Sequence, residues 1–328
     1  MLCMVLLVSA LCSKGQLPVY SLYHTNPLPV NPALAGSAHQ LRSGLNFRNQ
    51  WSNYNNPIVG YSVFVDHFIA PIRSGIGASV YSDVSGNNNF RSTQIGLYYS
   101  HTVKLTKKTF LKVGLQPALG MVGYSGNGLL FNDQLSSTGN TGNATGETLP
   151  LGTTTSYLNL NSGFLFTTNQ FWLGASAYNL LNPIAGITNE SRLPVGFGVQ
   201  TGIKIDFMAN QISRKEKQER FLMPHLYYSS VGHSQQLYAG TNLVYEPFCV
   251  GIVVRGSFFS KVNGIQNVAT TAFNIGFRKK NIHFNYAYDL PISDKSRLLG
   301  PSHELSIQTL FKVGRKPSRR PYERLDLF

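Results

Sequence analysis

From residue 40 onward, apolar side chains recur at every second position for about ten residues, a turn intervenes, and the pattern starts again. The clearest copy is Val195, Phe197, Val199, Thr201, Ile203, Ile205 and Phe207, interleaved with Gly196, Gly198, Gln200, Gly202, Lys204 and Asp206. Period two puts successive side chains on opposite faces of a strand. About fourteen such segments follow one another, at 41–50, 58–67, 74–83, 91–103, 110–123, 156–167, 170–179, 194–207, 221–230, 236–246, 249–258, 267–278, 281–289 and 303–313. In the first, Leu41, Ser43, Leu45 and Phe47 oppose Arg42, Gly44, Asn46 and Arg48. Ile282, Phe284, Tyr286 and Tyr288 likewise oppose His283, Asn285, Ala287 and Asp289. The stretch around Pro224 is the weakest, because proline gives a ladder no donor. A lipocalin or a sandwich shares such alternation. The strand number and the connections select an all-β, transmembrane, antiparallel up-and-down β-barrel.

An even strand count puts both ends of the barrel on the periplasmic side. The connections near 51–57, 84–90, 124–155, 180–193, 231–235, 259–266 and 290–302 are then extracellular. Those near 68–73, 104–109, 168–169, 208–220, 247–248 and 279–280 are periplasmic, and most of these are short. Charge sorts with this assignment. Much of the formal net charge of +14 falls in the periplasmic turns: Lys104, Lys107 and Lys108; Arg214, Lys215, Lys217 and Arg220; Arg278, Lys279 and Lys280. Five more cations, Arg315, Lys316, Arg319, Arg320 and Arg324, follow the last strand. Headgroup contact and turn solubility account for single cations at strand ends. For the tail, a docking element for an acidic periplasmic partner and a disordered solubiliser stand as equal readings. An exported chain is no candidate for binding nucleic acid.

Composition agrees with this picture. Only 13% of residues are charged while 42% are hydrophobic; a soluble chain so poor in charge carries a richer core. The segment Met1–Ala10 is apolar and too short to span a bilayer. Ser13 and Gly15 supply small residues for cleavage before Gln16, so 1–15 reads as a signal peptide. Its basic n-region is missing, which points to a start codon further upstream. Cys12 raises a lipoprotein alternative, for which Leu11 is a poor lipobox residue. Residues 16–39, with Pro18, Pro27, Pro29 and Pro32, form an irregular segment either under the barrel or inside its lumen. The barrel then spans 40–313, and 314–328 is the basic periplasmic tail.

Little points to chemistry. The eight histidines are scattered, with none at metal-ligand spacing. His303 and Glu304 are strand neighbours and point to opposite faces. There is no GxSxG elbow, and Gly196-Phe197-Gly198 lies within a strand rather than before a helix. Cys249 stays alone after the signal leaves, so thiols make neither a disulfide nor a metal site. The expectation is a non-enzyme without cofactor, with a triad assembled across strands as the remaining catalytic reading.

Five stretches carry a resemblance. Pro18-Val19-Tyr20-Ser21-Leu22-Tyr23 is followed by Asn26-Pro27, Asn31-Pro32-Ala33-Leu34-Ala35-Gly36 and Arg48-Asn49-Gln50-Trp51. Near the other end stands Gly300-Pro301-Ser302-His303-Glu304-Leu305-Ser306. Together they resemble the PorP/SprF family, outer-membrane proteins of the type IX secretion system of Bacteroidota. The resemblance implies a non-enzymatic role: supporting secretion or surface anchoring of a particular cargo, such as a gliding adhesin. It implies machine components on the periplasmic side, cargo at the extracellular loops, and lipid around the wall. The alternative is a channel for small solutes, which requires an open lumen. Asn31, Pro32, Ala33, Gly36, Arg48, Gln50 and Trp51 are candidates for a plug or latch. For Arg48 the favoured reading is a lumen charge paired with an acid of another strand, while for residues 31–36 a structural turn and a plug or latch stand level. Lys107, Lys108, Arg214, Lys215, Lys217, Arg315, Lys316, Arg319 and Arg320 are candidates for docking a periplasmic partner.

Overall fold

The computed structural model describes residues 20–85, 90–125, 132–136, 139–143, 146, 154–186, 191–207, 220–257, 261–262, 265–266, 270–279, 281–292, 297 and 300–311. Period-two alternation becomes strands β1 (Leu41–Gln50), β2 (Ile58–Ile69), β3 (Ser74–Ser85), β4 (Phe90–Lys104), β5 (Phe110–Tyr124), β6 (Thr154–Thr167) and β7 (Phe171–Tyr178). The second half supplies β8 (Gly196–Ile203), β9 (Arg220–Val231), β10 (Ser234–Tyr245), β11 (Phe248–Gly256), β12 (Thr270–Lys279), β13 (Ile282–Pro291) and β14 (Ser302–Phe311). Each strand pairs antiparallel with the next, and β1 closes on β14 with Leu41 opposite Phe311. The result is a closed 14-strand barrel, with the start of β1 and the finish of β14 at one end.

Closure leaves no sheet edge, so every strand has two neighbours and two faces. The outer face is the apolar one. Leu45, Val63, Leu97, Val113, Phe197, Val199, Ile275 and Ile307 are exposed, while their sequence neighbours are buried. An apolar belt around the outside is what a bilayer covers. Val199→Arg would place a cation in that belt. It is expected to destabilise the barrel by about 2–4 kcal/mol in lipid if the site is near the midplane, read as a lower urea midpoint for folding into vesicles.

Proline is tolerated where the ladder is already interrupted. The β8–β9 pairing breaks between Gly202 opposite His225 and Ile205 opposite Leu222. Lys204 turns away there and its N–H donates to the Gln170 carbonyl at 2.7 Å. Pro224 stands at this gap while keeping its place opposite Thr241 of β10. Pro117 occupies a similar gap, between Gly96 opposite Ala118 and Tyr99 opposite Leu115.

The core of the molecule is inside the barrel. Residues 20–40 fold into a 3-10 turn (Tyr23–Thr25), a four-residue helix α1 (Pro27–Val30) and a second 3-10 turn (Pro32–Leu34). Nearly all of them are buried. Each of three apolar clusters joins this segment to the wall: Ala33 and Leu34 with Trp172, Phe221 and Met223; Tyr23 and Val30 with Tyr227 and Tyr238; Leu28 and Ala35 with Phe64 and Tyr98. Burying these side chains against the inner wall contributes on the order of 1.5–3 kcal/mol for each large one.

Candidate functional site

Within the lumen the N-terminal segment runs from one end of the barrel to the other. Its junction with β1 lies where Gly36 and Ser37 meet Arg42 and Asp66. Tyr20 lies toward the opposite end, edge-on to Tyr81 at 6.1 Å.

One stretch of wall is shaped for the segment. Gly75 of β3 is opposite Ser100 of β4, Ser100 is opposite Gly114 of β5, Gly114 is opposite Gly163 of β6, and Gly163 is opposite Ser176 of β7. These inward positions form an unbroken cross-strand row with almost no side chain. The Asn-Pro-Ala-Leu-Ala-Gly stretch is laid across it. The Ser176 hydroxyl donates to the Val30 carbonyl at 2.8 Å, and the Ser100 hydroxyl to the Ala35 carbonyl at 2.8 Å. Asn31 lies against Gly163, and Pro32 and Ala33 against Gly114. A Cβ on Gly114 would overlap the Pro32 carbonyl carbon and the Ala33 nitrogen, which are backbone and cannot rotate aside. Gly114→Ala is therefore expected to cost about 1–3 kcal/mol as an overpacked contact. Faster proteolysis within residues 20–39, with the wall itself intact, would report it.

Asn31 joins segment to wall. Its Oδ1 accepts from the Ala33 N–H at 2.9 Å and caps the second 3-10 turn. Its Nδ2 donates to the carbonyls of Phe164 (3.0 Å) and Ala175 (3.4 Å). Gly36 adopts φ +66°, a left-handed conformation that glycine takes without penalty. Its N–H donates to Asp66 Oδ2 at 2.7 Å. Arg42 holds the same carboxylate in a two-pronged pair, at 2.8 and 2.9 Å.

A second ion cluster grips the other end of the segment. Arg48 donates to Asp289 at 2.7 Å and to Glu304 at 2.8 Å, and Arg255 approaches Asp289 at 3.3 Å. The Glu304 carboxylate also accepts the Ser21 N–H (2.9 Å) and the Leu22 N–H (3.1 Å), and Asp289 accepts the Ser21 hydroxyl (2.7 Å). Between the two grips, Asn242 donates to His225 Nε2 at 2.9 Å. This leaves Nδ1–H for the Tyr23 hydroxyl oxygen, 2.6 Å away.

The candidate plug residues thus occupy three places. Asn31, Pro32, Ala33 and Gly36 lie on the glycine–serine row. Arg48, with Gln50 at 3.5 Å, belongs to the ion cluster. Trp51 sits in the turn after β1 at φ +63°, its N–H donating to the Ser302 hydroxyl at 3.2 Å. Lys107 and Lys108 are exposed in the β4–β5 turn. Residues 1–15 and 314–328 lie outside the described residues, as do Arg214, Lys215, Lys217, Arg315, Lys316, Arg319 and Arg320. Asp66 and the row Gly75–Ser176 have no place among the sequence candidates, and Asp289 and Glu304 are placed there by strand face alone, not as partners of Arg48. An acid on the inward side of a strand is the signal that could have marked all three acids. The row has no local signal. Among the described residues no group of three or more His, Cys, Asp or Glu could hold a metal ion.

A family model described as type IX secretion system membrane protein PorP/SprF matches residues 12–309. Among solved structures, the toluene transporter TbuX of Ralstonia pickettii is 10% identical. That match covers 86% of this chain and 92% of the transporter, with a TM-score of 0.52. The CymD monoaromatic hydrocarbon channel is 13% identical over 89% of this chain and 94% of its own, also at 0.52. At such identities the likeness is one of fold alone. No curated protein matches the chain.

Proposed function

The chain belongs to the PorP/SprF family of type IX secretion system membrane proteins, and on that premise we propose that it supports the secretion or cell-surface anchoring of one specific cargo, such as a gliding adhesin. Family and fold make it an outer-membrane β-barrel of that system. In the proposal, the end with the long connections, Tyr124 to Thr154 and Tyr178 to Gly196, faces the cell exterior and meets the cargo. The opposite end, with Lys107 and Lys108 in its β4–β5 turn and the basic tail 314–328 beyond it, faces the periplasmic machinery. Signal-peptide cleavage before Gln16 delivers the chain to the membrane.

The observation that carries this reading is the filled lumen. A barrel whose interior is packed with its own N-terminal segment is suited to holding partners at its two ends. The fold likeness to hydrocarbon channels keeps a solute-channel reading in view, but a channel requires an open path, and Leu28, Leu34 and Tyr178 are fully buried inside. Deleting the gene is expected to abolish surface display of one partner while general secretion continues. If every secretion and permeability assay is unchanged by the deletion, the proposal fails.

A further inference from the structure

We propose that the barrel mouth at the long-connection end holds a binding site for one primary ammonium group, borne by a lysine side chain or a free alkylamine. The site is a notch between Asp83 of β3 and Tyr20 of the lumen segment. It goes beyond the anchoring proposal, which names no contact chemistry at that end, and rests on it only for the statement that this end faces the cell exterior.

Two oxygens without a donor meet there. A Cβ on Gly60 would stand 2.6 Å from Asp83 Oδ1 and 3.3 Å from the Tyr20 hydroxyl oxygen, so both reach the space that the missing side chain leaves. Tyr20 is 6% exposed, and its hydroxyl has no hydrogen-bond partner among the described residues. Asp83 makes no hydrogen bond and no ion pair among those residues either. It is half-buried and stands just before β3 stops at Ser85, within reach of the mouth. Polar groups sheltered in this way ordinarily have partners, and a carboxylate gains most from a donor that is itself charged.

The local charges leave a place for that cation. On the inward faces of the strands at this end, the acids Asp83, Asp289 and Glu304 stand against the cations Arg48 and Arg255. Arg48 is the cation whose charge acts on Asp83, but its nitrogens are committed elsewhere: Nη2 to Asp289, Nη1 to Glu304 and Ser21, and Nε to Gln50. Arg255 lies on β11 and is paired with Asp289. A compact ammonium suits the notch. Its N–H groups rotate freely, so one donates to Asp83 and another to the Tyr20 oxygen. A guanidinium brings a planar fork matched to both oxygens of one carboxylate, whereas the second acceptor here is a hydroxyl on another residue. A calcium ion asks for about six to eight oxygens, and among the described residues no group of three or more His, Cys, Asp or Glu gathers to hold a metal.

The test uses the full chain in detergent, with 3-fluorotyrosine in place of Tyr20 so that its fluorine resonance reports on the notch. The probes are n-butylammonium chloride and a blocked peptide with a single lysine flanked by glycines. Tetramethylammonium, equal in charge but without an N–H, is the comparison ion at matched ionic strength. A saturable shift is expected with at least one primary ammonium probe and none with tetramethylammonium. Asp83→Asn should weaken the affinity at least about tenfold, the loss of a contact between opposite charges. Gly60→Ala, which fills the notch, should weaken it as well. Asp206→Asn, which removes an exposed acid at the opposite end, should leave it unchanged. Saturation by the peptide assigns the site to a partner polypeptide, and saturation by butylammonium alone assigns it to a free amine. No saturable shift, an equal one with tetramethylammonium, or one that both Asp83→Asn and Gly60→Ala leave intact overturns the proposal. None of these results bears on the gene-deletion assay, so the site and the anchoring proposal fail separately.

Discussion

Arg48→Met is expected to free the N-terminal segment from its Ser21–Leu22 end at a cost of about 3–5 kcal/mol, the loss typical when one partner of a buried ion pair is removed. Arg48 is the shared cation of Asp289 and Glu304, at 2.7 and 2.8 Å, in a site where all three side chains are at most 5% exposed. Without it, Glu304 is left as a buried anion whose contacts are two segment amides, and Asp289 keeps the Ser21 hydroxyl and, as its cation, only the more distant Arg255. The barrel wall is held by its own ladders and lipid belt, so the damage should concentrate on the segment. The measurement is protease cleavage within residues 20–39 in vesicles, followed with a fall in the urea midpoint. Arg48→Met combined with Glu304→Gln should recover part of the loss, because the second change removes the stranded charge. If the double variant is as protease-sensitive as the sum of the two single variants, the cluster does not act as a coupled unit.

Excising residues 20–36 is expected to convert a closed barrel into a conducting one. The segment contributes to all three apolar clusters in the lumen, and what it leaves behind is a wall lined by Arg42, Asp66, Lys112, Asp289 and Glu304. Water enters a polar, roomy space of that kind, as in membrane barrels with wet interiors. The intact chain should show no resolvable conductance in planar bilayers, and the excised chain discrete ohmic steps. Circular dichroism should show the strands retained, because strand pairing from β1 round to β14 makes no use of the segment. An excised barrel that folds and still does not conduct would mean the wall closes on itself, and the segment would then be no plug.

Much of the architecture was legible along the chain. Val195, Phe197 and Val199 alternate with Gly196, Gly198 and Gln200, and the structure puts the first set outside and the second inside. His303 and Glu304 were expected on opposite faces of one strand. Glu304 is buried in the lumen while His303 is half-buried on the outer face, 2.9 Å from the Tyr286 hydroxyl. Such statements follow from the period of two, which depends only on neighbouring residues. The Pro224 stretch looked weakest because a lone proline cannot report whether its strand neighbour offers an acceptor there. The ladder is interrupted beside it, where Lys204 bonds to Gln170 instead.

The lumen was legible only in its ingredients. Between a position under the barrel and one inside it, the sequence of residues 16–39 offered no choice. Whether those residues enter depends on the room left inside a closed wall, and that room depends on which residues stand level on adjacent strands. Gly75, Ser100, Gly114, Gly163 and Ser176 are unremarkable one at a time and become a seat only through register. Arg48 meets its partners 241 and 256 positions further along the chain, a coincidence that ring closure alone creates. Alternation and strand count, being local properties, determined by themselves that the chain is a barrel with an apolar outside. Register and closure, which sum over the whole ring, decided what the inside holds.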